Sequence, residues 1–317
     1  MKNWKWMISL LVALGLLAAC GDPDTETGSD SEQSVETAFP VTITDATGEE
    51  VTIDEEPKAI VSMIPSNTEI VYALGLDEEI VGVSDFDNYP EEAEDVEKIG
   101  GMEFNVEKII SLQPDVVLAH DSNSTQEDGL KQIEDAGITV VVIENATSFD
   151  QVYDTIDTIG KVTGKVTEAE QVIEDMQDGF AEIEEKAATV EEADRKKVLI
   201  AVSQMPDVYV AGNDTFMQEM LDLIQADNAA GEQDGFPMLA EEEIVRLNPD
   251  TVVVTSGYYE ENLTQEWLTH GSFSDLTAVQ NEDIQEVSSD PVNRSGPRLV
   301  EGAQELAEAI YPDIFSE

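Results

Sequence analysis

The sequence predicts an α/β protein built as two mainly parallel-sheet lobes joined by a single long helix. Three observations carry that reading. From about Phe39 onward, short apolar and β-branched runs alternate with amphipathic stretches, the pattern of βαβ units. The phrase "VEKIISLQPDVVLA" at 106–119 returns as "EEEIVRLNPDTVVV" at 241–254. Glu107 matches Glu242, Ile109 matches Ile244, Leu112 matches Leu247, Pro114 matches Pro249 and Asp115 matches Asp250, always 135 positions apart. A recurrence at nearly half of a 317-residue chain indicates paired lobes, whereas a solenoid would repeat at short period. Between the copies, "VTEAEQVIEDMQDGFAEIEEKAATV" (166–190) places Val172, Ile173, Met176, Phe180 and Ile183 at steps of three and four without a proline. That spacing predicts one helix, long enough at about 37 Å to cross from lobe to lobe.

In chain order, residues 1–19 read as a targeting segment: Lys2 and Lys5 precede the apolar run "MISLLVALGLLAA", which is short for a membrane span. "LAAC" then sets small residues before Cys20, the one cysteine of the chain, as in a bacterial lipobox where the cysteine is lipidated and becomes the new amino terminus. No internal disulfide can form. Residues 20–38, polar and without apolar period, read as a flexible tether. The amino-terminal lobe (39–163) opens on a hairpin, "VTITDATGEEVTI", turning near Gly48. "AIVSMI", "IVGVS", "DVVLAH" and "ITVVVI" follow as strands, with "SNTEIVYALG", "NVEKIISLQ" and "TQEDGLKQIEDAG" as helices. After the bridging helix, placed at 164–192, the second lobe (193–317) repeats the plan. Its strands are "KVLIAVS", "DVYVAG", "TVVVTS" and "IQEVSS"; its helices are "TFMQEMLDLIQA", "EEEIVRLN" and the closing "RLVEGAQELAEAIY".

Removing residues 1–19 lowers Lys+Arg from 15 to 13 against 70 Asp+Glu, and the formal net charge moves from −55 to −57. Such a field repels phosphate backbones and argues against nucleic acid. It reads as a surface adapted to stay soluble outside the cell, in a salty or alkaline habitat. A bare metal site lacks donors, because His120 and His270 stand 150 residues apart with no HxxxH or CxxC. "DFDNYPEEAEDVE" lacks the spacing of a calcium loop. "GKVTGKVT" (160–167) is too short for a phosphate loop and has Val166 where Ser or Thr should follow the lysine; it reads as the solvated start of a helix.

Ser66 followed by Glu69 forms a capping-box pattern, and Gly75 stands where a left-handed stop would fall. Those residues read equally as a well-capped helix or as a helix whose first turn opens on a ligand cleft. In context they say more. "SMIPSNTE", "ALGLDEEIVGVSDFDNYPEEA" and "KIGGMEFNVEKIISLQPDVVLA" together resemble the solute-binding proteins of ABC importers for iron-siderophores and cobalamin, over about Ile60 to the carboxyl end. The resemblance implies ligand held in a cleft between the lobes, with closure limited by the long helix. It puts the docking of two permease subunits on Glu107 and Glu242, which otherwise read as acids complementing a helix dipole.

The same resemblance nominates Ser66, Asn67, Phe86, Tyr89, Met102, Tyr209 and Phe236 as ligand contacts, the aromatics offering area with few rotors. Arg294 and Arg298 join them, since siderophore-binding relatives meet anionic chelate oxygens with arginine; for Arg298 a structural salt bridge is an equal expectation. Cobalamin-binding relatives commonly carry a tryptophan near Gly101, where this chain has "GGME", while the "DNYPEEA" turn and the aromatics at 209 and 236 favour cobalamin. The implied protein is an extracytoplasmic, membrane-anchored monomer without catalysis or resident cofactor, its ligand cobalamin, a ferric siderophore or another chelate such as haem. Its partners are an ABC permease dimer with its ATPase. A lipid-anchored hydrolase is the alternative from another class, but no GxSxG and no histidine in a catalytic context is present. A passive adhesin would explain the anchor and not the duplicated glutamate.

Overall fold

Alternate residues of each central strand face different cores, and that alternation organises the molecule. A computed structural model describes residues 39–256 and 262–316. The leader at 1–19, Cys20 and the tether to residue 38 lie outside the described residues. The chain starts with β1 (Val41–Thr44) and β2 (Glu50–Ile53), an antiparallel hairpin with Gly48 at φ 83° in its turn. Then come β3 (Ile60–Ser62), α1 (Pro65–Ala73), β4 (Ile80–Gly82), α2 (Val106–Leu112), β5 (Val116–His120), α3 (Glu127–Asp135), β6 (Thr139–Ile143), α4 (Phe149–Thr163) and α5 (Val166–Ala187). The four strands β4-β3-β5-β6 form one parallel sheet.

The second lobe contains β7 (Lys197–Ala201), β8 (Val208–Tyr209), α6 (Phe216–Leu223), β9 (Asp227–Asn228), β10 (Met238–Leu239), α7 (Glu241–Leu247) and β11 (Thr251–Val254). It closes with α8 (Leu263–Thr269), α9 (Thr277–Gln280), β12 (Ile284–Glu286), α10 (Ser289–Asn293), α11 (Leu299–Ile310) and α12 (Pro312–Phe315). Its main sheet runs β12-β11-β7-β9, again parallel, while β8 and β10 pair as a small antiparallel ribbon. Counted in chain order within each main sheet, both lobes have strand order 2-1-3-4. The switch point therefore falls beside the first and third strands of each, β3/β5 and β7/β11, where open α/β sheets hold ligands.

In the first sheet Ile60, Val116, Leu118, Val141 and Ile143 turn to one core, while Val61, Val117, Ala119, Val140 and Val142 turn to another. In the second, Val198, Ile200 and Val253 face the first of these cores and Leu199, Ala201, Val252 and Val254 a third. One core is thus shared by both lobes, and each lobe keeps one of its own. Strands buried on both faces explain why these runs read as continuously apolar. The bridging helix α5 belongs to the shared core through Met176, Phe180 and Ile183. At 22 residues it is about 33 Å long. Phe180 stacks on Phe149 of α4 at 4.2 Å, and Gly179 lets α11 approach so closely that a Cβ there would stand 2.6 Å from Val300 Cγ1.

Two local expectations are corrected. Residues 160–167 are not a solvated start of a helix: they are the corner from α4 to α5, where Gly160 lies against Ala169 and both Val162 and Thr163 are buried. Nor is Ser66 an N-cap. Pro65 occupies the first turn, Ile64 is the capping residue without a side-chain bond, and Ser66 lies within the helix. Gly75, with φ 72°, does follow the helix in the left-handed conformation.

Candidate functional site

Carboxyl ends of strands from both sheets converge on one cleft of about 500 Å³. Pro65 follows β3, Phe86 follows β4, Val202 follows β7, Thr255 and Ser256 follow β11, and Ser289, Asp290, Asn293 and Arg294 follow β12. Met102, Met217 and Phe236 complete the lining. A neighbouring compartment of about 390 Å³ shares Val202 and Ser256 with it and is walled by Ser203 to Asp207 and by Tyr209.

Phe86, Tyr89, Met102, Tyr209 and Phe236, all nominated from sequence, are large apolar side chains left exposed at 41, 44, 76, 43 and 43%. Phe86, Met102 and Phe236 line the main cleft and Tyr209 the adjoining compartment. Folding ordinarily buries such groups, and their concentration here marks a binding surface. A Cβ on Gly101 would meet the Phe86 ring at 3.1 Å, so this phenylalanine covers the Gly101 backbone.

Ser66 and Asn67 are not brought into the cleft. Both are buried, and Asn67 Nδ2 donates to the Ala119 carbonyl at 3.2 Å, tying α1 to β5. Glu69, expected to close a capping box, instead receives the second lobe. Arg294 Nη1 donates to its Oε1 at 2.8 Å, while Arg298 donates from Nε to Oε2 and from Nη2 to Oε1, each at 3.0 Å. The Glu69 side chain is 2% exposed and the arginines 15 and 16%. Arg298 Cζ lies 3.8 Å from the centre of the Tyr89 ring, and Tyr89 is not on the lining of the main cleft. Arg294 also pairs with Asp290 at 3.0 Å, and Asn88 Nδ2 reaches the other Asp290 oxygen at 2.8 Å. Of the two arginines, Arg294 lines the main cleft and Arg298 does not.

Among the described residues, three buried side-chain atoms have no hydrogen-bond partner: Asp87 Oδ1, Asn88 Oδ1 and Ser256 Oγ. Ser256 lies on the cleft, and Asp87 and Asn88 belong to the turn that carries Phe86. Burial pushes the Asp87 carboxyl above its ordinary value, opposed by bonds from Ser84 and Thr68 and by Lys98 and Arg294 nearby. The two histidines have local roles. His120 Nδ1 accepts the Ser122 N–H at 3.2 Å as a cap, and His270 Nε2 meets Glu241 at 3.0 Å. Among the described residues no cluster of three His, Cys, Asp or Glu could hold a metal ion.

Glu107 and Glu242 are exposed in the first turns of α2 and α7. Among the described residues neither forms an ion pair, although neighbouring Lys108 and Glu243 do, and Glu241 meets the His270 ring. Sequence reasoning missed Pro65, Val202, Met217, Thr255, Ser256, Ser289, Asp290 and Asn293. The repeat held one signal: Thr255 and Ser256 directly follow the second copy, at the carboxyl end of its strand.

Two parallel sheets presenting their switch points to a shared cleft, across a bridging helix, define a two-lobed solute-binding fold. Residues 60–291 match the family described as periplasmic binding protein, and the chain belongs to that family. Over 310 residues it is 48% identical to a Bacillus subtilis protein named uncharacterized ABC transporter substrate-binding lipoprotein YvrC, covering 98% of this chain and 97% of that one. It is 31% identical over 282 residues to a cobalamin-binding protein of Halobacterium salinarum, covering 86% of this chain and 75% of that one. A crystal structure of a possible iron-binding (periplasmic solute-binding) protein from Staphylococcus epidermidis superposes with TM-score 0.73 at 34% identity, covering 81% of this chain and 100% of that one.

Proposed function

We propose that this chain is the substrate-binding lipoprotein of an ABC importer, and that it captures cobalamin or a ferric siderophore in the interlobe cleft and delivers it to the permease. The observation that carries this reading is the set of exposed aromatic and thioether side chains, Phe86, Met102 and Phe236, gathered at the strand ends of both sheets. A large amphipathic chelate buries such faces and gains roughly 25 cal/mol for each Å² of apolar area removed from water. The name of the Halobacterium relative favours a corrinoid, and that of the Staphylococcus structure favours iron. The ligand is cargo, and no step of chemistry is asked of the protein.

Lipidation at Cys20 would hold the mature chain on the outer face of the membrane, and the 20–38 tether would let it reach the permease at high effective concentration. Calorimetric titration with cyanocobalamin, ferric hydroxamates and ferric catecholates tests the reading. Saturable binding of at least one at micromolar concentration or better is expected. Failure of every chelate to bind would sink it.

A further inference from the structure

The charges around the cleft cancel one another, and the balance bears on the charge of the ligand. Among the described residues, Arg294 is the one basic residue lining either compartment, and it is engaged, with Nη1 on Glu69 and Nη2 on Asp290. Arg298 meets Glu69 through two nitrogens. Asp290 uses its remaining oxygen to accept from Asn88. Glu69, Asp290, Arg294 and Arg298 therefore form a closed set of two positive and two negative charges. An anion entering the cleft finds no unpaired cation among these residues. It must pull a guanidinium from a largely buried carboxylate, or settle beside Asp207 on the adjoining wall in the field of a strongly acidic protein.

A ligand without negative charge meets no such obstacle. The main lining gives it Phe86, Met102 and Phe236. At the junction of the two compartments lies the Ser256 hydroxyl, 5% exposed as a residue, its Oγ without a partner among the described residues. Buried hydroxyls are nearly always bonded in folded proteins, and one left open on a binding wall points to a partner that arrives with the ligand.

Resting on the metal-chelate reading above, we propose that the cleft takes chelates of zero or positive net charge and rejects anionic ones, with Ser256 Oγ bonding a neutral amide or hydroxyl of the ligand. The test is calorimetry on the full chain in detergent at 0.15 M salt. Neutral probes are cyanocobalamin and a ferric trihydroxamate; the anionic probe is a ferric tris-catecholate carrying three negative charges. At least one neutral probe is expected to bind, and the catecholate at least 100-fold more weakly. Asp290→Asn keeps the side-chain shape but leaves the cluster with one net positive charge, and should narrow that gap at least tenfold. Ser256→Ala should weaken the neutral ligand about two- to tenfold, the range for one lost hydrogen bond, leave the catecholate unchanged, and so narrow the gap by that factor alone.

A catecholate that binds as tightly as the neutral probes, or an Asp290→Asn protein with an unchanged gap, overturns the proposal and leaves the metal-chelate reading standing. Unaltered affinity in Ser256→Ala overturns the assignment of that hydroxyl. If no probe of either charge binds, the metal-chelate reading falls and this proposal with it.

Discussion

The two copies of the repeated phrase have the same backbone solution and open on different surroundings. In the first, Gln113 ends α2 in the left-handed conformation at φ 52°; in the second, Asn248 ends α7 the same way at φ 45°. Ile109 and Ile244 are both fully buried. Asp115 N donates to the Ala59 carbonyl and Asp250 N to that of Lys197, both at 2.8 Å, so each copy pins its strand to the one beside it. The strands then end differently. His120 and Asn123 close the end of β5 with a capping box, whereas the matching end of β11 continues into Thr255 and Ser256 on the cleft wall. Duplicated sequence here encodes scaffold, and the asymmetry that makes a binding site begins one residue beyond it. The lining reflects this: the first lobe contributes Pro65, Phe86 and Met102, and the second lobe supplies the rest.

The largest expected effect tests whether the shared glutamates share a role. Glu107→Lys and Glu242→Lys each reverse an exposed charge that has no ion-pair partner among the described residues, so ligand affinity should not change. Import in cells should fall at least tenfold for either variant and be abolished in the pair, because a two-subunit permease would be engaged at both lobes. Normal uptake by the double variant would show that the glutamates only complement their helices.

A smaller difference is expected from the aspartates. Asp115 Oδ2 accepts from two backbone N–H groups, of Lys58 at 2.7 Å and Ala59 at 3.0 Å, while Asp250 Oδ2 accepts from Lys197 alone at 3.0 Å. The second copy adds a bond of its own, from Lys197 Nζ to the Leu247 carbonyl. Charged acceptors of this kind contribute about 1.5 to 3 kcal/mol when sheltered and less when exposed. Asp115→Ala should therefore cost about 2 kcal/mol and Asp250→Ala about 1 kcal/mol by urea unfolding. Equal losses, or the reverse order, would mean that the bond count does not set the difference.

Sequence made the scaffold legible because its signals are local. The alternating apolar strands, the duplicated Pro-Asp stop and the period of the bridging helix all lie within a few turns of chain. α4 escaped notice as a separate helix, since its polar stretches mask the buried face of Val152, Ile156 and Ile159. At the site, the exposed aromatics were legible only through resemblance. Glu69 was misread for a physical reason: the partners that decide its conformation, Arg294 and Arg298, lie 225 and 229 residues away, and a paired ionic contact outweighs a local cap. Asp290 and Ser256 carried no local signal beyond their place after a strand.

The smallest effect concerns the position where the copies part. His120 occupies the place that Thr255 takes in the second copy, and burial pushes its imidazole below the ordinary value, opposed by Asp121. The folded chain thus favours the neutral ring, whose Nδ1 accepts the Ser122 N–H, while the unfolded chain binds a proton from about pH 6.5 downward. In that window the unfolded state holds more protons, so stability is full above the unfolded pKa and declines as pH falls below it. Burial pushes Asp87, Glu134 and Glu219 upward, which gives each the opposite slope, so the whole-protein profile does not isolate the histidine. Comparison with His120→Thr, the residue of the other copy, does. Urea midpoints at pH 7.5 and 5.5 should show a greater loss on acidification, or a smaller gain, in the parent than in the variant. Parallel profiles would mean that the proton makes no distinction between the two strand ends.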